Sequence, residues 1–144
     1  MVIDLKKLQL KGKTETDFFF EYDNFGDLCV LPDAEIEKPI KILGTLKIVS
    51  SHSAVASGDI TFVVKGPCSR CLEETEKVFT VPFEELFDKD DDAAYPVVND
   101  KADLSKMTDD VVVLNMPFSL LCKEDCKGIC AGCGKNLNKE KCKC

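Results

Sequence analysis

Histidine is almost absent from this chain, since His52 is the single one among 144 residues. Catalytic zinc sites commonly use histidine ligands, and histidine is the most frequent general acid or base in enzymes. His52 lies in a serine-rich stretch, far in sequence from any other candidate catalytic group. The scarcity of histidine therefore argues against an enzyme, and we expect a protein that works without catalysis.

Long apolar runs and targeting signals are missing as well. No apolar stretch approaches the roughly 20 residues that a membrane-spanning helix needs. Residues 1–6 lack a basic start followed by an apolar core, so we expect no signal peptide. These features predict a cytoplasmic protein without membrane contact, in a compartment that keeps thiols reduced.

Cysteine, by contrast, is abundant and paired. Of the nine cysteines, only Cys29 stands alone. The others form four short pairs: Cys68-Ser-Arg-Cys71, Cys122-Lys-Glu-Asp-Cys126, Cys130-Ala-Gly-Cys133 and Cys142-Lys-Cys144. Two thiolates from one tight turn reach one metal ion, and two such turns complete a tetrahedron. Reduced thiols in this pattern predict metal binding, with a disulfide framework as the alternative, and four sulfur ligands favour zinc first and iron–sulfur second.

The paired cysteines are enough for two four-cysteine sites. We prefer a division into Cys68, Cys71, Cys122 and Cys126 in one site, and Cys130, Cys133, Cys142 and Cys144 in the other. The competing division joins the first and third pairs in one site and leaves the other cysteines free. Spacing does not decide between them, because it does not show which turns meet in space. Gly134, directly after Cys133, favours a turn that directs its amides toward sulfur.

Charge is distributed unevenly along the chain. The formal net charge is −7. Residues 122–144 carry six lysines against three acidic residues, a net charge of +3, which leaves −10 on residues 1–121. An acidic body repels phosphate at long range, so only the tail favours RNA, and charge alone fits a basic protein partner equally well.

The RNA-contact candidates are therefore basic residues at or near the cysteine pairs. Arg70 lies between two predicted ligands on an exposed turn. The tail lysines are the other candidates: Lys123, Lys127 and Lys135 first, followed by Lys139, Lys141 and Lys143. The alternative is that these side chains are solvated and balance thiolate charge, or that Arg70 bonds to a nearby carbonyl or carboxylate.

Alternation of apolar and polar residues predicts a mainly antiparallel sheet. Strands are expected over 16–22, 39–51, 54–65 and 76–87, and the strands 39–51 and 54–65 are expected to pair as a hairpin. Gly66 and Pro67 end the third strand, which places Cys68 and Cys71 at the tip of a strand–turn–strand unit. Helical spacing predicts one helix over 103–116, with Asp103 at its start. The fold class is thus α+β, with a β-rich domain over 1–121 and a zinc-ribbon-like, cysteine-rich tail over 122–144 packed on it.

Two segments of the chain resemble the YceD family, the large ribosomal RNA subunit accumulation proteins of bacteria and chloroplasts. The first is Cys68-Ser-Arg-Cys71 after a strand that ends in Gly-Pro. The second is Cys126-Lys-Gly-Ile-Cys130-Ala-Gly-Cys133-Gly-Lys-Asn-Leu-Asn138. The resemblance extends over about residues 2–144. Ala131 departs from the family pattern, because proline is common at this position.

The resemblance implies a cytoplasmic factor that large-subunit (23S) ribosomal RNA needs in order to be made or to persist, and it implies no catalytic activity. We therefore expect a non-enzymatic ribosome-biogenesis factor with structural zinc. Its expected partner is precursor large-subunit ribosomal RNA, a ribosomal protein or an assembly factor. The alternatives are a redox-sensitive zinc chaperone and a zinc-stabilised nucleic-acid-binding module.

Overall fold

The computed structural model describes residues 1–142 and 144. In chain order the elements are β1 (Val2–Asp4), α1 (Leu5–Leu10), β2 (Glu15–Tyr22), β3 (Glu35–Ile48), β4 (Ser53–Pro67), β5 (Glu74–Asp88), β6 (Tyr95–Pro96), β7 (Lys101–Asp103) and α2 (Ser105–Leu114). Strands β2 to β6 form one five-stranded sheet in sequence order, and β1 pairs with β7 in a separate two-stranded sheet. Neighbouring strands are antiparallel except the short parallel pair β5–β6. The predicted class, a mainly antiparallel sheet with few helices, is confirmed.

The predicted hairpin is the centre of the sheet. Strands β3 and β4 pair in the register Ile42 opposite Ile60, and β5 continues the sheet with Phe79 opposite Phe62. The register of the β3–β4 pair shifts between Glu37 and Lys41. This irregularity explains why β3 begins earlier than the predicted strand, because the chain passes Pro39 without ending the pairing.

One face of the sheet carries the hydrophobic core. Ile42, Ile60 and Phe62 are fully buried there, as period-two alternation requires. Helix α2 contacts β4 and β5, and its Met107 and Val112 are also fully buried. The apolar residues at helical spacing in the sequence are therefore those on the face of α2 that packs in the core.

The predicted helix over 103–116 is two residues too long at each end. Its N-cap is Leu104, without a side-chain cap, although Asp103 Oδ1 accepts a hydrogen bond from the Ser105 N–H at 2.9 Å. At the other end the Asn115 side chain donates to the Val111 carbonyl at 2.8 Å. The predicted helix is thus present, and the Asn115 side chain caps one of its last carbonyls.

The sequence predicts one helix, and the structure has a second, α1. Asp4 caps it, because its side chain accepts a hydrogen bond from the Lys7 N–H at 2.9 Å. Six residues make fewer than two turns, too short for helical periodicity to show in the sequence. No helix in the described part of the chain is long and apolar enough to cross a membrane.

The turn between β4 and β5 meets the chain that follows α2. The Ser69 N–H donates to the Leu120 carbonyl at 2.6 Å, and the Leu120 N–H donates to Ser69 Oγ at 3.1 Å. Leu120 itself is almost fully buried. These contacts bring the chain entering Cys122 directly to the tip that carries Cys68 and Cys71.

The partly buried carboxylate of Asp109, on α2, lacks a full set of partners. Asp109 Oδ2 accepts a hydrogen bond from the Tyr22 hydroxyl at 3.4 Å, whereas its buried Oδ1 has no hydrogen-bond partner among the described residues. Burial raises the pKa of Asp109; the Tyr22 contact opposes this rise, and the neighbouring Asp110 charge adds to it. The folded chain therefore binds a proton at Asp109 more tightly than the unfolded chain does.

We expect Asp109→Asn to stabilise the protein at neutral pH. A raised carboxyl pKa means that stability from this group grows as pH falls through that pKa and is lost as pH rises. The neutral amide removes the cost of burying charge, so the melting temperature at pH 7 should rise by about 2–4 °C. Its dependence on pH should also become flatter. Differential scanning calorimetry across pH measures both, with the exposed Asp92→Asn as control. A melting temperature lowered at pH 7 would contradict this.

Candidate metal centres

The first cysteine cluster, here the Cys68 centre, joins two parts of the chain. The β4–β5 turn supplies two thiols and the chain after α2 supplies two, and all four sulfur atoms lie within 4.8 Å of one another. The members are Cys68, Cys71, Cys122 and Cys126. The Sγ atoms of Cys68 and Cys126 are 3.7 Å apart, and those of Cys71 and Cys122 are 3.6 Å apart. Three of the four residues are buried, so this centre lies inside the protein.

Backbone hydrogen bonds shape the turn that carries Cys68 and Cys71. The Cys68 N–H donates to the Glu73 carbonyl at 2.8 Å, and the Leu72 N–H donates back to the Cys68 carbonyl at 3.0 Å. Leu72 has a positive φ of 62°, a conformation that a leucine adopts at a cost. A backbone amide from outside the turn also faces this sulfur: the Cys122 N–H, in the chain after α2, donates to Cys68 Sγ at 3.4 Å.

The second cluster, here the Cys130 centre, belongs entirely to the tail. Its members are Cys130, Cys133, Cys142 and Cys144. The turn at Cys130 repeats the first one, since the Cys130 N–H donates to the Lys135 carbonyl at 2.9 Å and the Gly134 N–H donates to the Cys130 carbonyl at 2.8 Å. Gly134 has a φ of 71°, as the glycine in the sequence indicated. Cys133 and Cys144 are exposed, so this centre is open to solvent.

The structure brings the cysteines together in the two groups that the sequence analysis preferred. The competing division, which joins the first and third pairs, is not the one that the structure forms. Cys29 lies apart from both centres and packs, half-buried, against the core. Metal binding by either centre stays a prediction.

The thiol spacing of the Cys68 centre fits a tetrahedral metal ion. Zinc–sulfur bonds of about 2.3 Å place the sulfur atoms of a tetrahedral site about 3.8 Å apart. In the Cys68 centre the separations of 3.6 Å and 3.7 Å match that value. In the Cys130 centre Cys133 and Cys142 are 3.5 Å apart, and Cys130 and Cys142 are closer at 2.9 Å. Four thiols suit zinc, and bound zinc would cross-link the chain segments at each centre.

Ionisation is shared unevenly among these thiols. Burial opposes ionisation of Cys68, but backbone amides at its sulfur outweigh burial and lower its pKa to about 6. Burial raises the pKa of Cys122 to about 12, and contacts with neighbouring thiols add to the rise. The contact between Cys130 and Cys142 likewise lowers the pKa of Cys130 to about 6 and raises that of Cys142 to about 12. Sulfur anions this close repel one another, and a divalent cation removes that repulsion.

Three further side chains tie the Cys68 centre to the tail. Arg70 Nη1 donates to the Cys126 carbonyl at 3.0 Å. Asn138 Nδ2 donates to Cys126 Sγ at 3.3 Å, and Lys139 forms an ion pair with Glu73. The roles of Asn138 and Glu73 were not predicted from the sequence. Asn138 belongs to the Asn-Leu-Asn segment of the family resemblance, which is the only sequence signal for it.

The predicted RNA-contact residues differ in their surroundings. Lys123 and Lys127 are exposed beside the Cys68 centre. Arg70 is exposed but bonds to a carbonyl, as the alternative interpretation held, and Lys135 pairs with Glu140 at 3.8 Å. Of the other tail lysines, Lys139 is paired as described above and Lys141 is exposed, whereas Lys143 lies outside the described residues. RNA contact by any of them stays a prediction.

Fold and site together define a β-rich protein in which clustered cysteines join a hairpin tip to a C-terminal tail. Residues 56–144, which include all eight clustered cysteines, match the family described as Large ribosomal RNA subunit accumulation protein YceD. The chain belongs to this family, and the resemblance inferred from the cysteine segments is confirmed.

Curated relatives come from bacteria and plants. The uncharacterized protein Rv2926c of Mycobacterium tuberculosis is 31% identical over 99 residues, which cover 62% of this chain and 48% of the relative. Large ribosomal RNA subunit accumulation protein YCED homolog 1, chloroplastic, of Arabidopsis thaliana is 40% identical over 57 residues, which cover 40% of this chain and 18% of the relative. The chain thus spans about half the length of its mycobacterial relatives and less of the plant one. No solved structure matches.

Gly134→Ala should weaken the Cys130 centre. Gly134 has a φ of 71°, and its N–H bonds to the Cys130 carbonyl. An alanine in this left-handed conformation costs about 1–2 kcal/mol. We therefore expect the Zn²⁺ affinity of this centre, measured by chelator competition, to fall about 5- to 30-fold. Gly26→Ala is the matched control, because Gly26 has no positive φ and no atom within 4 Å of an added Cβ. Equal affinities for both variants would contradict the prediction.

Metal binding at the Cys68 centre should weaken as pH falls. The pKa of Cys122 is raised to about 12. A Glu73 backbone amide lowers the pKa of Cys71, but burial and the Cys68 thiol outweigh it and leave it raised. Both thiols therefore hold protons at neutral pH that a metal must displace. Calorimetric Zn²⁺ titrations in buffers of different ionisation enthalpy should show proton release, and the apparent Kd should increase from about pH 8 to pH 6. A Kd independent of pH would argue against thiol ligands.

Proposed function

We propose that this protein is a non-enzymatic, cytoplasmic factor in the biogenesis of the large ribosomal subunit, with structural zinc in both cysteine centres. The observation that carries the proposal is the convergence of the hairpin tip and the tail on one four-thiol centre, next to a second one. The family match supports the biological process, because the plant relative is named for accumulation of the large ribosomal RNA subunit.

Structural zinc would make the tip and tail one rigid surface. The tail has few large apolar residues, with Ile129 and Leu137 the main ones beyond the cysteines. Both are only partly buried, so apolar burial contributes little to holding the tail in place. A metal bound by four thiolates would supply the missing folding energy, on the order of 10 kcal/mol in small peptides.

Exposed lysines beside the Cys68 centre, rather than net charge, favour RNA contact through the tail, because bound thiolates would offset the tail's net charge of +3. Lys123 and Lys127 are exposed and flank Cys126, whereas residues 1–121 carry a net charge of −10. The acidic body repels a phosphate backbone, which leaves the tail as the surface that approaches it. We therefore propose precursor large-subunit ribosomal RNA as the partner, with a ribosomal protein or another assembly factor as the other outcome of the test.

Charge reversal in the tail tests this proposal. Lys123→Glu with Lys127→Glu should weaken binding to a precursor fragment of large-subunit ribosomal RNA, measured by filter binding. The slope of log K against log salt is negative, and each phosphate contact removed should make it shallower by about 0.7–0.9. A wild-type affinity that does not change with salt would rule out direct RNA contact and favour a protein partner.

A matched control has the same change in net charge at the other end of the sheet. Lys11 and Lys13 are exposed and precede β2. β2 begins at Glu15 in register with Lys47, which pairs with Val55, far along β4 from the tip at Pro67. Lys11→Glu with Lys13→Glu should leave RNA affinity and salt slope near those of the wild type. An equal loss in the control would mean that net charge, not the tail, governs binding.

A further inference from the structure

One side chain links the two cysteine centres. Asn138 lies in the chain between Cys133 and Cys142, which belong to the Cys130 centre, yet its side chain contacts the Cys68 centre. Its Nδ2 donates to Cys126 Sγ at 3.3 Å, and its Oδ1 accepts the Lys127 N–H at 2.9 Å. Asn138 thus uses its donor on one ligand sulfur and its acceptor on the backbone next to that ligand.

The loop that carries Asn138 is held by a small hairpin. Ile129 and Asn136 form an isolated antiparallel bridge, and the Leu137 N–H donates to the Gly128 carbonyl at 2.9 Å. The Asn138 N–H donates to Asn136 Oδ1 at 2.9 Å. The cysteines of the Cys130 centre lie on both sides of this loop, so a metal ion in that centre would close the loop at both of its ends.

A second contact fixes the same loop on the same target. Lys139, the residue after Asn138, forms an ion pair with Glu73. The Glu73 carbonyl accepts the Cys68 N–H at 2.8 Å and so belongs to the turn of the Cys68 centre. The loop therefore contacts the Cys68 centre on the tail side, at Cys126, and on the hairpin side, at Glu73.

We propose that the two centres bind metal cooperatively, with Asn138 as the positioning residue that couples them. A bond from an amide N–H stabilises a thiolate, and contacts of this kind around a metal site are worth about 10- to 100-fold in metal affinity. Filling the Cys130 centre closes the loop and holds Asn138 at Cys126. Linkage requires the reverse effect as well, so metal in the Cys68 centre tightens binding at the Cys130 centre by the same factor. The inference rests on the proposed metal binding.

A double-mutant cycle tests the coupling. The affinity of the Cys68 centre for Zn²⁺ is measured by chelator competition in four proteins: wild type, Asn138→Ala, Cys142→Ser with Cys144→Ser, and the combination of all three. The first variant removes the link, the second opens the Cys130 centre, and each should lower the affinity about 10-fold. Because both act through one contact, the combined variant should be no weaker than either alone. Asn24→Ala, an exposed asparagine whose side chain makes no described hydrogen bond to either centre, is the control.

Cadmium-113 NMR supplies a readout that general loss of structure would not imitate. Asn138→Asp keeps an acceptor for the Lys127 N–H but removes the donor to Cys126 Sγ. It should therefore move the cadmium signal of the Cys68 centre, leave that of the Cys130 centre in place, and lower the affinity as Asn138→Ala does. Far-UV circular dichroism checks that the sheet is intact in every variant.

Several outcomes would overturn the coupling. These are an Asn138→Ala affinity equal to wild type, a Cys68 centre unaffected by loss of the Cys130 centre, losses that multiply in the combined variant, and no cadmium shift in Asn138→Asp. The failure of the proposed function would look different. A reduced wild-type protein that binds neither Zn²⁺ nor Cd²⁺ removes the metal centres themselves, whereas independent binding of two ions removes only the coupling.

Discussion

Repulsion among closely spaced sulfur anions is the constraint on which the rest of this structure depends. In each centre the pKa of at least one thiol is lowered and that of a neighbour is raised, because burial and contacts with neighbouring thiols oppose a full set of thiolates without a cation. The Cys68 centre places that constraint at the contact between the hairpin tip and the tail. A group that satisfies the four sulfurs would therefore also hold these two parts of the chain together, in addition to the bonds made by Ser69, Arg70 and Glu73.

The sheet prepares the tip for this role. Strands β4 and β5 pair continuously from Ser53 opposite Asp88 to Pro67 opposite Glu74, and Phe62 and Phe87 are fully buried along their inner face. A hairpin fixed this firmly presents Cys68 and Cys71 at one position. The chain from Leu120 onward contacts this half of the centre through Ser69, Arg70 and Glu73. Such a design suits a protein that presents a surface to a partner, and it separates an acidic body from a basic tail.

The strands were predictable because one face of the sheet is buried and the other is solvated. Apolar and polar residues therefore alternate along each strand. Helix α2 was predictable for the same reason, since its buried side leaves a helical period. The ends of α2 were less predictable, because caps such as Asn115 depend on single contacts. The short helix α1 is stabilised by Asp4 and by its packing. Its six residues are too few to show a helical repeat of apolar residues, so it was not predicted.

The sequence by itself determined the family, the mainly antiparallel class and the eight cysteines as a set, because pair spacing and alternation are local properties of the chain. Only the tertiary structure decided which pairs meet, since distance in space depends on the path of β4, β5 and the chain after α2. It also showed that Arg70 bonds to a carbonyl and that Asn138 reaches from one centre to the other. Contacts between residues far apart in sequence have no local signature, so they become visible only when the chain is folded.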